Sequence, residues 1–494
     1  MTSDSTHIST ADCRHERGHI TDSRFFGNRY ATPESRRIFC DLCRNQRWLD
    51  IEAALALAES DVGIIPQDIA ERIATSARME RLNLEMVQAE IERTGHSLVG
   101  LLRAFQAACD EEAGQFIHYG ATTQDIQDTG QVLETRDVLD TLNPMLDSLI
   151  GRLADLAEQH ADTAALGRTH AQPALPMTFG LKLASWIDEL LRHRERLDQL
   201  RERVLVAQLF GGAGTMAGFA DRGLVLLEHF AARVGLGVPR IGWHVARDRV
   251  AEFVCTLSMI TGTLARIGDE IRTLSRPEFG ELEEAWPPGK VGSSTMPHKR
   301  NPERCEQVVV MARLAAAQAG LALAGMIGDH ERDSRALRIE WSCLPDAAHY
   351  CLCATTILRD IVHGLIVHPD RISNNVTDVA DHVMSERLML ALAEHVGKQD
   401  AHEIVYELTQ RARDQRLPVR ELAARCKRIT DHLPASARER IFEPTSYLGA
   451  STELTVRTVA EARKWVGADV PAQPPLTGRL VMSGWSGDPE RRSR

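Results

Sequence analysis

Apolar residues recur at helical spacing through most of this chain. Leu183, Trp186, Leu190, His193, Leu197, Leu200 and Val204 hold a 3-4 spacing for three heptads, interrupted in character only by His193. That spacing places them along one seam of a long helix suited to a bundle. Similar runs occupy roughly 131–161, 245–276, 302–328 and 341–366. A helix of about 30 residues spans about 45 Å, too long for a compact monomer, so these helices are expected to pack against other subunits. Nearer the N-terminus, Ile38, Leu42, Leu49, Ala53 and Leu57 predict one amphipathic helix from Pro33 to about Leu57. A turn follows at Gly63–Pro66, then short helices to about Cys109. No alternating pattern of useful length predicts a strand.

Glycine and proline punctuate this pattern. Pro277, Gly280, Pro287, Pro288, Gly289, Gly292 and Pro302 mark a long irregular loop between two helices, of the kind that is functional when it occurs inside a compact domain. The resulting organisation is a polar, disordered tail over 1–22, an N-terminal helical domain over 23–117, a central long-helix domain over 118–368, a C-terminal helical domain over 369–467, and a proline-rich mobile tail over 468–494.

Composition narrows the function. The chain has 494 residues, 43% hydrophobic and 26% charged, with a net charge of −11 and no lysine-rich block. Nucleic-acid binding is not suggested. The first residues are polar, unlike a secretory signal, and no run of 18 apolar residues predicts a membrane span. The ten cysteines have no regular spacing, as in a cytoplasmic protein with reduced thiols. Cys40 and Cys43, with Cys13, His15 and His19 upstream, could form a zinc site. The simpler reading is two thiols on a helix that also carries Phe39, Leu42 and Trp48.

Three separated segments carry the chemistry. They are His118-Tyr119-Gly120-Ala121-Thr122-Thr123-Gln124-Asp125, Gly167-Arg168-Thr169-His170-Ala171-Gln172-Pro173-Ala174, and Gly292-Ser293-Ser294-Thr295-Met296-Pro297-His298-Lys299-Arg300-Asn301-Pro302. Each sets small residues beside hydroxyls, amides, imidazoles or cations, a combination suited to binding carboxylates. Taken alone, Thr122 and Thr123 would equally serve as a helix cap.

Together, in this order, the three segments resemble the signature blocks of the fumarase/aspartase superfamily, and the resemblance covers roughly residues 23–465. It implies an all-α fold of three helical domains and a homotetramer with a 20-helix core. Each active site would draw its blocks from three chains. It also implies β-elimination from a substituted succinate to give fumarate, with no cofactor and no metal. Removing a proton beside a carboxylate builds charge on an aci-carboxylate, which Lys299, Asn301 and a helix opened by Pro302 would stabilise. By resemblance, Ser293 is the general base, His170 assists the leaving group or a bound water, and Glu306 pairs with that histidine. Thr122, Thr123, Gln172 and Ser294 are candidate carboxylate ligands, with His118 and Met296 of the same blocks in the substrate-binding set. His96, in Thr94-Gly95-His96-Ser97, matches a site histidine of the adenylosuccinate lyase branch.

Substrate choice divides the family. Arg29-Tyr30 resembles a nucleotide-phosphate pair of adenylosuccinate lyases. Leu337 and Trp341, however, stand where those enzymes carry a serine and an arginine, and Trp243 replaces a nucleotide-contacting glutamine. These changes resemble 3-carboxy-cis,cis-muconate cycloisomerases. Arg335 and Arg338 depart from that pattern and point to an additional polar or anionic group on the substrate. Nitrosuccinate, eliminated to fumarate and nitrite, fits this reading. The cycloisomerase reaction, adenylosuccinate cleavage and a non-catalytic structural role are the alternatives.

Overall fold

The computed structural model describes residues 18–467. The proline-rich tail and the first residues of the N-terminal tail, with Cys13 and His15, lie outside that range. The end of the expected N-terminal tail is structured: Ile20–Asp22 form a 3-10 turn in which Thr21 is buried.

The N-terminal region holds α1 (Pro33–Phe39), α2 (Asp41–Asp61), α3 (Gln67–Ser76), α4 (Leu84–Thr94), α5 (Ser97–Ala108) and α6 (Glu111–Gly114). The single helix expected over 33–57 is two. A Thr32–Ser35 capping box starts α1, and Cys40 then turns extended (φ −64°, ψ 140°), which ends the hydrogen-bond ladder. Arg47, on α2, reaches back to the Ile38 carbonyl. The break turns Leu42 outward, where it is 52% exposed, while Ile38 and Leu49 stay buried.

The long helices follow. They are α7 (Thr123–Gln159), α8 (Phe179–Val204), α10 (Asp248–Leu274), α11 (Glu303–Ala324) and α12 (Ser334–His363), with the short α9 (Gly223–Val234) between the second and third. One apolar cluster joins all five long helices. The predicted seam of α8 is buried at every position from Leu183 to Val204. His193 fits because its Nε2 meets Thr263 Oγ1 at 2.9 Å, and burial together with Arg196 lowers its pKa to about 4, leaving a neutral ring in the core. A second cluster joins α2–α5 to α9.

The C-terminal region comprises α13 (Pro369–Thr377), α14 (Ala380–Val383), α15 (Ser385–Val396), α16 (Lys398–Gln415), α17 (Val419–Arg425), α18 (Lys427–Thr430) and α19 (Ala435–Ile441) around a third cluster. The last helix, α20 (Ser451–Gly467), returns to pack on α7 and α8.

Among the described residues, two short antiparallel strand pairs, the first of them a hairpin, interrupt the helices, contrary to the expectation of no strands. β1 (Ala164–Thr169) pairs with β2 (Gln172–Thr178), and β3 (Leu282–Glu283) with β4 (Ile366–Val367). Pro173 and Pro176 disguise β2 in the sequence, and a register shift after Gly167 breaks the alternation of β1. A side chain at Gly167 would meet the Leu175 carbonyl at 2.9 Å, so the bulge requires glycine.

By length and apolarity alone, α10 and α11 could each cross a membrane, although neither contains an unbroken run of 18 apolar residues. Their burial differs. The most apolar stretch of α10 is 67% buried inside the chain, that of α11 only 22%. Residues such as Val310, Leu321 and Leu323 are left bare.

Candidate active site

The first block sits where α7 begins. Thr122 is its N-cap, and its backbone N–H donates to Asp125 Oδ2 at 2.9 Å. Asp125 is fully buried. It also accepts from the backbone N–H groups of Phe210 and Gly211 and lies 2.8 Å from His244 Nε2. Thr122 and Asp125 thus form a capping box at the start of α7, and the two threonine hydroxyls share a further partner.

That partner is Arg332, a residue sequence reasoning had not selected. Its guanidinium donates to Thr122 Oγ1, to Thr123 Oγ1 (3.1 Å) and to Gln124 Oε1 (3.0 Å). His330, two residues earlier, has φ 55°, a left-handed backbone rare for histidine. The only advance signal was the charged run His330-Glu331-Arg332-Asp333 ahead of a helix.

His96 and His118 complete this end. His96 Nε2 lies 3.4 Å from Thr123 Oγ1, and its Nδ1 is buried without a partner. Burial, then Arg332, Arg338 and His118, lower its pKa. His118 takes φ 63° and sets Nδ1 2.7 Å from Glu52 Oε1. Burial works against its charge, but Glu52 prevails and the net shift is upward. Leu337 is buried and Trp341 lies against Trp48, ring centroids 6.2 Å apart, so one wall here is apolar.

Arg335 has different employment from the one its sequence position suggested. Its guanidinium is bound to Asp329 and Asp333, whose carboxylate also accepts the Arg335 backbone N–H at the start of α12. With two acidic partners and 65% exposure it is an exposed helix-start ion pair. Arg338 is exposed as well, but its field reaches His96.

The third block lies on the loop before α11. Ser293 Oγ accepts N–H donors from Met296 (3.0 Å) and Thr295 (3.3 Å). Asn301 Nδ2 donates to the Gly292 carbonyl at 2.6 Å, folding the loop on itself. The fold is so tight that a Cβ on Gly292 would overlap the Lys299 carbonyl oxygen and the Trp286 ring. Residues outside the motif hold this shape. Trp286 carries Lys290 over its ring at 4.5 Å and Arg300 at 5.5 Å. The buried Glu284 accepts from the Cys305 backbone N–H at 2.8 Å, capping α11, and pairs with Lys290 at 3.2 Å. Ser294, Met296 and Lys299 are exposed, as is Glu306 one turn into α11.

The second block is the turn of the β1–β2 hairpin. His170 and Ala171 are its two central residues, at φ 49° and 60°. Neither is glycine, so the turn is strained, and strain of this kind concentrates where a side chain must be aimed. His170 and Gln172 face solvent. Arg168 ties the hairpin to the base of the third-block loop through the buried Glu281, at 2.5 Å. Arg29 pairs with Glu303 at 2.9 Å and its carbonyl accepts from Gln307, so it belongs to the start of α11, while Tyr30 packs on the central core.

The blocks therefore fall at two ends of the chain. The first block opens α7 and the second follows its far end. A helix of 37 residues is about 55 Å long. Likewise Arg332 and the third-block loop lie beyond opposite ends of the 22-residue α11, about 33 Å apart along its axis. No single copy brings His96, Arg332 and Thr123 to Ser293 or His170.

Comparison with known proteins identifies the family. The lyase family model matches residues 28–316, and the adenylosuccinate lyase C-terminus model matches 381–458. The chain is 39% identical over 435 residues to the N-acetyl-S-(2-succino)cysteine lyase of Dickeya dadantii, covering 88% of this chain and 96% of that one. It is 35% identical over 447 residues to the 3-carboxy-cis,cis-muconate cycloisomerase of Pseudomonas aeruginosa, covering 90% and 97%. The solved structure of 3-carboxy-cis,cis-muconate lactonizing enzyme from Pseudomonas putida superposes with a TM-score of 0.82 at 32% identity, over 90% of this chain and all of the other. The all-α long-helix fold and these matches together place the chain in the fumarase/aspartase superfamily of lyases.

Proposed function

We propose that this protein releases fumarate from a 2-substituted succinate by serine-initiated β-elimination, in a site completed by other copies of the chain. The observation that carries this reading is the pair of backbone N–H donors aimed at Ser293 Oγ. A serine is a poor base unless negative charge on its oxygen is stabilised, and fixed donors supply that. Ser293 takes the proton from the carbon beside one carboxylate, and the electron pair moves into that carboxylate. Lys299, Asn301 and the positive start of α11 answer the added charge. The pair then returns to form the double bond as the leaving group departs with the bonding electrons. His170, paired with Glu306 of a neighbouring copy, protonates the leaving group or a water beside it. Thr122, Thr123, His96, His118 and Arg332 hold the substrate's carboxylates, with Gln172 and Ser294.

The apolar face of α11 supports assembly, since only 22% of its most apolar stretch is buried within the chain and an exposed apolar patch of this kind marks an interaction surface. Four copies joining central helices, each site drawing on three chains, satisfy both that face and the distance between blocks.

The leaving group is a thiolate on this reading. Two relatives are named for a substrate of that kind, N-acetyl-S-(2-succino)cysteine. Nitrosuccinate is the second reading. The exposed Arg338 favours it, but it lost half its support when Arg335 proved to be held by two aspartates. The test is direct. Purified protein is given N-acetyl-S-(2-succino)cysteine, nitrosuccinate, adenylosuccinate and 3-carboxy-cis,cis-muconate in turn, and fumarate is followed with free thiol or nitrite. One thiol per fumarate supports the first reading and one nitrite per fumarate the second. Lactone formed from the muconate, with no fumarate from any succinate, would overturn both.

A further inference from the structure

We propose that Glu52, a buried carboxylate on α2 outside all three blocks, is the positioning residue that holds His118 as an imidazolium, so that His118 meets a substrate carboxylate as a charged donor. The inference rests on the carboxylate-binding role given to the first block above.

Glu52 is 2% exposed, and its Oε1 stands 2.7 Å from His118 Nδ1. An ionised carboxylate only accepts, so Nδ1 must carry the proton. Whether Nε2 is an acceptor or a donor then depends on a second proton. The His118 side chain is 16% exposed, and among the described residues its Nε2 has no hydrogen-bond partner, so that edge is free to meet a ligand. A histidine kept only for packing would have both ring nitrogens satisfied.

The surrounding charges favour the second proton. Asp125, from α7, faces the ring beside Glu52. Glu59, two turns along α2, is buried with neither oxygen hydrogen-bonded, and burial with the field of Glu52 raises its pKa to about 9. Glu59 is therefore neutral near pH 7. His96, from the turn before α5, lies under the field of Arg332, Arg338 and His118 and is driven the other way. The two neighbouring imidazoles are thus pushed in opposite directions by their surroundings, His118 toward the charged form and His96 toward the neutral one. The φ of 63° at His118 aims the ring between Glu52 and the site.

The sign follows from the net upward shift of His118. Carboxylate affinity is full below its raised pKa and is lost as pH rises through it. In Glu52→Gln only burial remains as the dominant influence, so the loss moves to lower pH. The experiment measures fumarate affinity of the assembled protein by calorimetry from pH 6 to 9, with KM and kcat on the active succinate. Glu52→Gln should weaken fumarate binding about tenfold near pH 8, as expected for loss of one charge-assisted hydrogen bond, and by less near pH 6. KM should move with it and kcat should change little. Glu52→Gln should add nothing in a His118→Asn background. If Glu52→Gln does not fold, His118→Asn alone decides, because the alkaline loss of affinity must vanish with the ring. An unchanged pH profile in either variant would overturn the inference alone. Absence of fumarate binding by the unaltered protein would overturn it together with the reading beneath it.

Discussion

The two ends of the central helices are built differently. At the first-block end the start of α7 is tied down by buried polar pairs: Asp125 collects three backbone N–H donors and His244, while Arg247 is buried between Asp128 and Glu340, and Gln131 also reaches Glu340. At the other end Ser293, Lys299, His170 and Glu306 sit on exposed turns or an exposed helix start. Under the proposed function, substrate recognition would be preorganised by the packing of one chain, and proton transfer would be left to a loop and a hairpin turn that meet their partners on other copies.

Substitutions at the two ends should therefore fail in different ways. Ser293→Ala should lower kcat about 10^3-fold, as for loss of a general base, with thermal unfolding and fumarate binding unchanged. Near-normal turnover in a progress-curve assay would remove Ser293 from that role. Asp125→Ala should do the reverse and destabilise the fold by about 3 kcal/mol in urea unfolding, since it strands several buried donors. Unaltered stability would mean the first-block end is less dependent on this carboxylate than its contacts imply. Glu284→Gln blurs the contrast, because it weakens the cap of α11 by about 1 kcal/mol and loosens the loop. It should reduce kcat with KM little changed, and a change confined to KM would count against a loop-shaping role. Arg335→Ala should alter kcat/KM by less than about twofold, because an exposed pair contributes little. A larger loss would return Arg335 to the substrate site.

Much of this was legible in the sequence, and most of what was missed joins positions far apart in the chain. The α8 seam, the long helices and the three blocks announce themselves through local spacing, which is what periodicity reads. Arg332 on Thr122, Glu52 on His118 and Glu284 on Cys305 join positions 210, 66 and 21 residues apart, and no local pattern marks such partners. The β1–β2 hairpin escaped because two prolines and a bulge erase its alternation, and Leu42 was misplaced because nothing near Cys40 signals a helix break.

The length of α7 also sets a rule of inheritance. Under the proposed shared site, a chain altered at Arg332 and another altered at Ser293 would each be inactive alone, yet each would carry intact what the other lacks. Where both are made in one cell and mix into the same oligomers, some sites would draw an intact first block from one parent and an intact serine loop from the other. Two defective alleles would then yield a partly active protein, while two alleles damaged in the same block would not.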